Sequence, residues 1–142
     1  MQPINKVKVE FLSKSSNEAF ARVVAASFVA QADPSIEVLA DIRTAVSEAV
    51  TNSIIHGYDE KEGIITMACT LYPELVEITI EDSGKGIEDI EKAKEPLYTS
   101  KPELERSGMG FTVMETFMDT LIIESSPGTG TRIVMTKQLG NG

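Results

Sequence analysis

The sequence predicts an α+β fold: a two-layer α/β sandwich whose mixed, mostly antiparallel sheet carries its helices on one face. Three observations carry this reading. The strand-like segments after the first come in consecutive pairs joined by short turns, which makes antiparallel neighbours. Helical periodicity is confined to three longer segments lying before and between those pairs. The resulting order is strand, two helices, two strands, lid, helix, two strands, which lacks the alternation of a doubly wound sheet.

Each element follows from its own residues. Lys6-Val7-Lys8-Val9-Glu10-Phe11 alternates polar and apolar, the period of a strand with one buried face. Ser15 and Glu18 fit a capping box ahead of Phe20, Val23, Val24 and Phe28, which have helical spacing. Asp33-Pro34 offers an N-cap and a first-turn proline for a long second helix. Its apolar positions Ile36, Leu39, Ile42, Val46, Ala49, Val50 and Ile54 run to a stop at Gly57. Ile64 to Leu71 and Leu75 to Glu81 read as a hairpin across Tyr72-Pro73-Glu74. The segment 87–107 has mixed charge, Pro96 and Pro102, and no sustained period. It reads as a lid with a short helix near Glu88 to Ala93. Gly110 to Asp119 resumes helical spacing, and Thr120 to Ser125 and Thr131 to Lys137 flank Pro127-Gly128-Thr129-Gly130 as two last strands.

With 142 residues and no visible linker or repeat, residues 1–142 are expected to form a single domain. The formal net charge of -9 argues against direct binding to nucleic acid, which needs a basic surface. The N-terminus has no apolar signal core, and the most apolar stretch, Phe20 to Ala32, is interrupted by Arg22. The expectation is a cytoplasmic protein with no membrane segment. The one cysteine, Cys69, excludes an internal disulfide and sits where a buried thiol belongs. The one histidine, His56, excludes a histidine metal cluster and a Ser-His-Asp triad, and reads as a capping or supporting residue.

Three short motifs suggest chemistry. Glu48 and Asn52 are four residues apart on a helix, hence on one face. The Asn52 amide oxygen suits Mg²⁺, and Glu48 one turn earlier would stand near a terminal phosphate as a proton acceptor. Asp82-Ser83-Gly84-Lys85-Gly86 places an acid at a strand end, taken to lie at the sheet edge, where it can accept a hydrogen bond from an exocyclic amine. Gly84 and Gly86 would let a base lie against the backbone. Thr131 could add a hydroxyl near the same base. Ser107-Gly108-Met109-Gly110 opens a helix, where backbone N–H groups and the dipole favour phosphate, with Arg106 and Lys101 nearby. Singly, each motif also fits a plainer role: a polar helix face, a tight turn, a solvated loop. In this order they read together as a nucleotide site.

The set resembles the ATPase and kinase superfamily of DNA gyrase, a heat-shock chaperone family, histidine kinases and the MutL repair proteins, which has a Bergerat-type ATP-binding fold. Over essentially the whole chain it resembles the bacterial anti-sigma serine kinases. Ser47 to Tyr58 and the run from Pro96-Leu97-Tyr98-Thr99-Ser100 through Arg106 to Phe111 carry the likeness. The sporulation anti-sigma F factors fit better than the general-stress anti-sigma kinases. The resemblance implies binding of ATP and Mg²⁺, inhibition of a sigma factor, a homodimer, and phosphorylation of a serine on an anti-sigma antagonist protein. By position Glu48 would be the general base, Asn52 the Mg²⁺ ligand, and Asp82 with Thr131 the adenine site. Gly84, Gly86, Gly108 and Gly110 would shape the pocket, Arg106 would contact phosphate, and Arg22 would meet a protein partner. A nucleotide-gated sigma-binding module without kinase activity is the alternative. A histidine-kinase half is disfavoured, since the one histidine lies inside the nucleotide box.

Overall fold

Alternating burial along the strands dictates a one-sided sheet. In the computed structural model, which describes residues 2–58, 61–94 and 110–140, five strands form one sheet. They are β1 (Asn5–Leu12), β2 (Ile64–Leu71), β3 (Leu75–Asp82), β4 (Thr120–Ser126) and β5 (Gly130–Gln138). The order is β1-β2-β3-β5-β4, and all four pairings are antiparallel, so the sheet is not mixed. On β2 and β3 every second side chain is buried: Ile65, Met67, Cys69 and Leu71, then Val76, Ile78 and Ile80. Helices α1 (Ser16–Val29), α2 (Ile36–Asn52) and α4 (Gly110–Phe117) supply the facing layer. Ala21, Ala25 and Val29 of α1, Ile42, Val46 and Val50 of α2, and Met114 of α4 complete the core. Each buried Val, Ile or Met among these stabilises the fold by about 1.5–3 kcal/mol. Helix α2 packs against both other helices and is the spine of that layer.

Several helix ends differ from expectation. Ser15 has right-handed helical backbone and makes no side-chain cap, so the Ser15–Glu18 box does not form. Glu18 instead faces Arg22 at 3.5 Å, one turn on. Helix α2 is capped not by Asp33 but by Ser35, whose extended backbone lets Oγ accept from the Val38 amide at 3.1 Å. The residue before a proline is disfavoured in the right-handed helical region, and Asp33 adopts φ 51° instead. The expected short helix is α3 (Ile90–Ala93), capped by Asp89. The rest of the predicted lid, from 95 to 107, lies outside the described residues. Lys137 ties the layers together: Nζ donates to the Phe117 carbonyl at 2.7 Å and to Asp41 at 3.3 Å. Among the described residues no helix is long and apolar enough to cross a membrane.

Candidate functional site

The site is built where α2 ends. Glu48 and Asn52 are half-buried on successive turns of α2. Past Asn52 the helix does not run on as α-helix to Gly57. It widens into a π turn, Ser53–Gly57, closed by the Tyr58 amide on the Ser53 carbonyl at 3.0 Å. Within this turn Ser53 is 1% exposed, and its Oγ donates to Asp82 Oδ2 at 2.8 Å.

Asp82 does not lie at the sheet edge. It ends β3, the central strand, between Ile65 on β2 and Thr131 on β5. Its carboxylate is buried and also accepts from the Gly84 amide at 3.0 Å. Burial pushes its pKa above the ordinary 3.8, while hydrogen bonds from Gly84, Ser53 and the Thr131 backbone pull the other way. The remaining lone pairs of a held, buried carboxylate are suited to an N–H donor on a ligand.

The loop after Asp82 is clasped on both sides. Tyr58 accepts from the Ser83 amide at 2.8 Å through its hydroxyl and donates the same hydroxyl to the Ile64 carbonyl. The Lys85 amide donates to the Gly57 carbonyl at 2.8 Å, and the Gly128 amide donates to the Lys85 carbonyl at 2.7 Å. The Ile87 amide reaches Ser125 Oγ at 2.8 Å. This gives Gly84 and Gly86 a different reason from open space for a base. A Cβ on Gly84 would stand 2.0 Å from the Gly57 carbonyl oxygen, and one on Gly86, where φ is 78°, would stand 2.1 Å from that of Ser126. Backbone already fills both positions.

Among the predicted residues, then, Glu48 and Asn52 share a helix face that leads into the turn holding Asp82, and Thr131 stands beside Asp82. Thr131 is 4% exposed, with its hydroxyl 2.9 Å from Ser125 Oγ. Gly110 is the first residue of α4. Arg106 and Gly108, with Lys101, lie outside the described residues. His56 is a half-buried member of the π turn. Arg22 lines a surface cavity of about 240 Å³ with Arg43, Thr44, Ser47 and the site residue Glu48. The sequence reading gave Ser125 no role, and it placed Ser53, Gly57 and Tyr58 in the stretch Ser47 to Tyr58 that carries the resemblance without seeing what they hold. Strand alternation was the available signal for Ser125, which is paired with Thr131.

The Asn52 side-chain oxygen is the kind of single hard donor that fits a cation keeping water and phosphate as its other ligands.

Residues 12–137 match the family model of a histidine kinase-like ATPase domain. A Clostridium novyi protein named anti-sigma F factor is 60% identical over 136 residues, 95% of each chain. One of the same name from Clostridium botulinum (Alaska E43) is 63% identical over 135 residues, 94% of each. Another from Thermoanaerobacter pseudethanolicus is 59% identical over 141 residues, 99% of each. The crystal structure of the RsbU and RsbW domains of a Mycobacterium tuberculosis protein superposes with TM-score 0.69 at 21% identity. The match covers 96% of this chain and 32% of that longer one, and the likeness is one of fold.

Proposed function

Because the chain belongs to the anti-sigma F factor family and carries a histidine kinase-like ATPase domain, we propose that it is a cytoplasmic protein-serine kinase that also restrains a sigma factor. Using Mg-ATP, it phosphorylates a serine of an anti-sigma antagonist protein, and it works as a homodimer. The observation that carries the nucleotide part is the junction of two elements: the π turn after Asn52 holds the Asp82 carboxylate through Ser53 at 2.8 Å. One helix exit thus links the residues for phosphate chemistry to the residue for the base.

In this reading Asp82 accepts from the adenine amino group, with Thr131 beside it. Asn52 offers its amide oxygen to Mg²⁺. The bound ion would neutralise charge on the phosphates and draw electron density from the terminal one. Glu48 accepts the proton of the attacking serine hydroxyl. A new bond forms from that oxygen to the γ-phosphorus, the β–γ bridging bond breaks, and ADP leaves with the electron pair. Gly108, Gly110 and Arg106 hold the phosphates. Arg22, on the outer helix α1, meets the protein partners.

Transfer of label from γ-labelled Mg-ATP to an antagonist tests this, with wild type and Glu48→Ala in parallel. Acid-stable label on an antagonist serine, lost in Glu48→Ala while ATP binding persists, is the expected result. Loss of a general base costs about 10²–10⁴-fold in rate. Normal transfer by Glu48→Ala overturns the base assignment. ATP and sigma binding with no transfer leaves a nucleotide-gated binding module.

A further inference from the structure

The cross-strand row that holds Asp82 continues through Thr131 to Ser125. Directly paired residues project on the same face of a pleated sheet, so all three stand on the helix-covered side. The Ser125 hydroxyl has one proton and two lone pairs. Its proton goes to the Gly130 carbonyl at 2.8 Å, because a carbonyl only accepts. One lone pair takes the Ile87 amide at 2.8 Å, because an amide N–H only donates. The remaining contact, to Thr131 Oγ1 at 2.9 Å, can then run in one direction only: Thr131 donates and Ser125 accepts. The Thr131 proton is turned away from Asp82, and only lone pairs remain for a ligand.

We infer that Ser125 is a specificity-determining positioning residue: by holding Thr131 as an acceptor, it makes the base site select a 6-amino purine over a 6-oxo purine. The inference rests on the reading of Asp82 and Thr131 as the base-binding pair. A 6-amino group brings N–H donors to two acceptors. A 6-oxo group brings a lone pair against both, which a buried site rejects. The polarity of Thr131 is fixed by the Ser125 network, which contains no titrating group.

The test is the dissociation constants of Mg-ATP and Mg-ITP for wild type, Ser125→Ala, Thr131→Val and the double variant, with thermal melts alongside. Wild type is expected to prefer ATP. In Ser125→Ala the Thr131 hydroxyl is free to turn and donate, so the preference should fall by about tenfold, the value of one hydrogen bond. In the Thr131→Val background, Ser125→Ala should change the ratio no further. A parallel weakening of both nucleotides in Ser125→Ala, at unchanged ratio, overturns the inference and leaves Ser125 a structural residue. If Ser125→Ala melts at assay temperature, Thr131→Val decides, and an unchanged ratio there overturns it. Absence of ATP binding by the wild type overturns the nucleotide reading itself, a result distinct from ATP binding without discrimination.

Discussion

Replacing Gly57 by alanine isolates one contact. Gly57 does not have positive φ, so alanine meets no backbone strain there. Its Cβ, however, would stand 2.8 Å from Asp82 Oδ2 and 2.9 Å from Cγ and Oδ1. Even close C–H···O contacts keep carbon and oxygen about 3.3 Å apart, so the carboxylate must retreat by roughly 0.5 Å. Its bonds to Ser53 at 2.8 Å and Gly84 at 3.0 Å hold it where it is. The retreat therefore breaks at least one hydrogen bond to a charged group, worth about 1.5–3 kcal/mol. If Asp82 holds the base in that position, ATP affinity falls by about 10- to 100-fold. Gly84→Ala is the harsher companion: its Cβ would meet the Gly57 carbonyl at 2.0 Å, and backbone cannot rotate aside. Titration calorimetry with Mg-ATP, paired with thermal melts, separates the two. Gly57→Ala should lose affinity with a fall of several degrees in melting temperature, in keeping with one lost hydrogen bond, and Gly84→Ala should fall much further. Wild-type affinity in a folded Gly57→Ala protein would refute the argument that the position of the Asp82 carboxylate governs binding.

Burial raises the folded pKa of Asp82 above 3.8, so the folded state holds the proton more tightly than the unfolded chain and its stability falls as pH rises from 3.8 through the folded value. Asp82→Asn removes this term, so its melting temperature relative to wild type should be higher at neutral pH than at pH near 3.8; an unchanged difference would contradict the burial cost. Burial pushes the Cys69 thiol up to about 12, so it should resist a thiol-reactive dye at pH 8 until the protein is unfolded in urea. Lys137→Met strips the last turn of α4 of its cation and leaves Asp41 unpaired, which should cost about 1–3 kcal/mol in urea unfolding.

Elements were legible in the sequence wherever one periodicity had no competitor. The β2–β3 hairpin shows plain alternation, and both of its strands begin where the pattern places them. Helix starts were less legible because several residues could cap. Ser15, Asp33 and Ser35 all have side chains able to do so, and the choice went to the one whose backbone is extended and whose third following residue has a free amide. The position of Asp82 in the sheet was not legible at all. Strand order depends on β5 inserting between β3 and β4, and the β3–β5 partners, from Asp82↔Thr131 to Leu75↔Gln138, are far apart in sequence, a pairing that no local pattern records.

The same separation explains why the supports of the site escaped the sequence reading. Ser53, Tyr58 and Ser125 act on a loop they reach only after folding, and no local pattern names that loop as their partner. What requires them is hydrogen-bond accounting. A loop packed between a helix exit and a hairpin must find partners for its backbone groups. The amides of Ser83, Gly84, Lys85 and Ile87 are taken by Tyr58, Asp82, Gly57 and Ser125 respectively. None of these four amides is left to bind an anion. The Asp82 loop is thus a rigid mount for the carboxylate proposed to bind the base, and no phosphate nest, although its glycines alone would suit either. A triphosphate held by this chain must find its N–H donors elsewhere, and the glycines ahead of α4 are the ones the sequence offers.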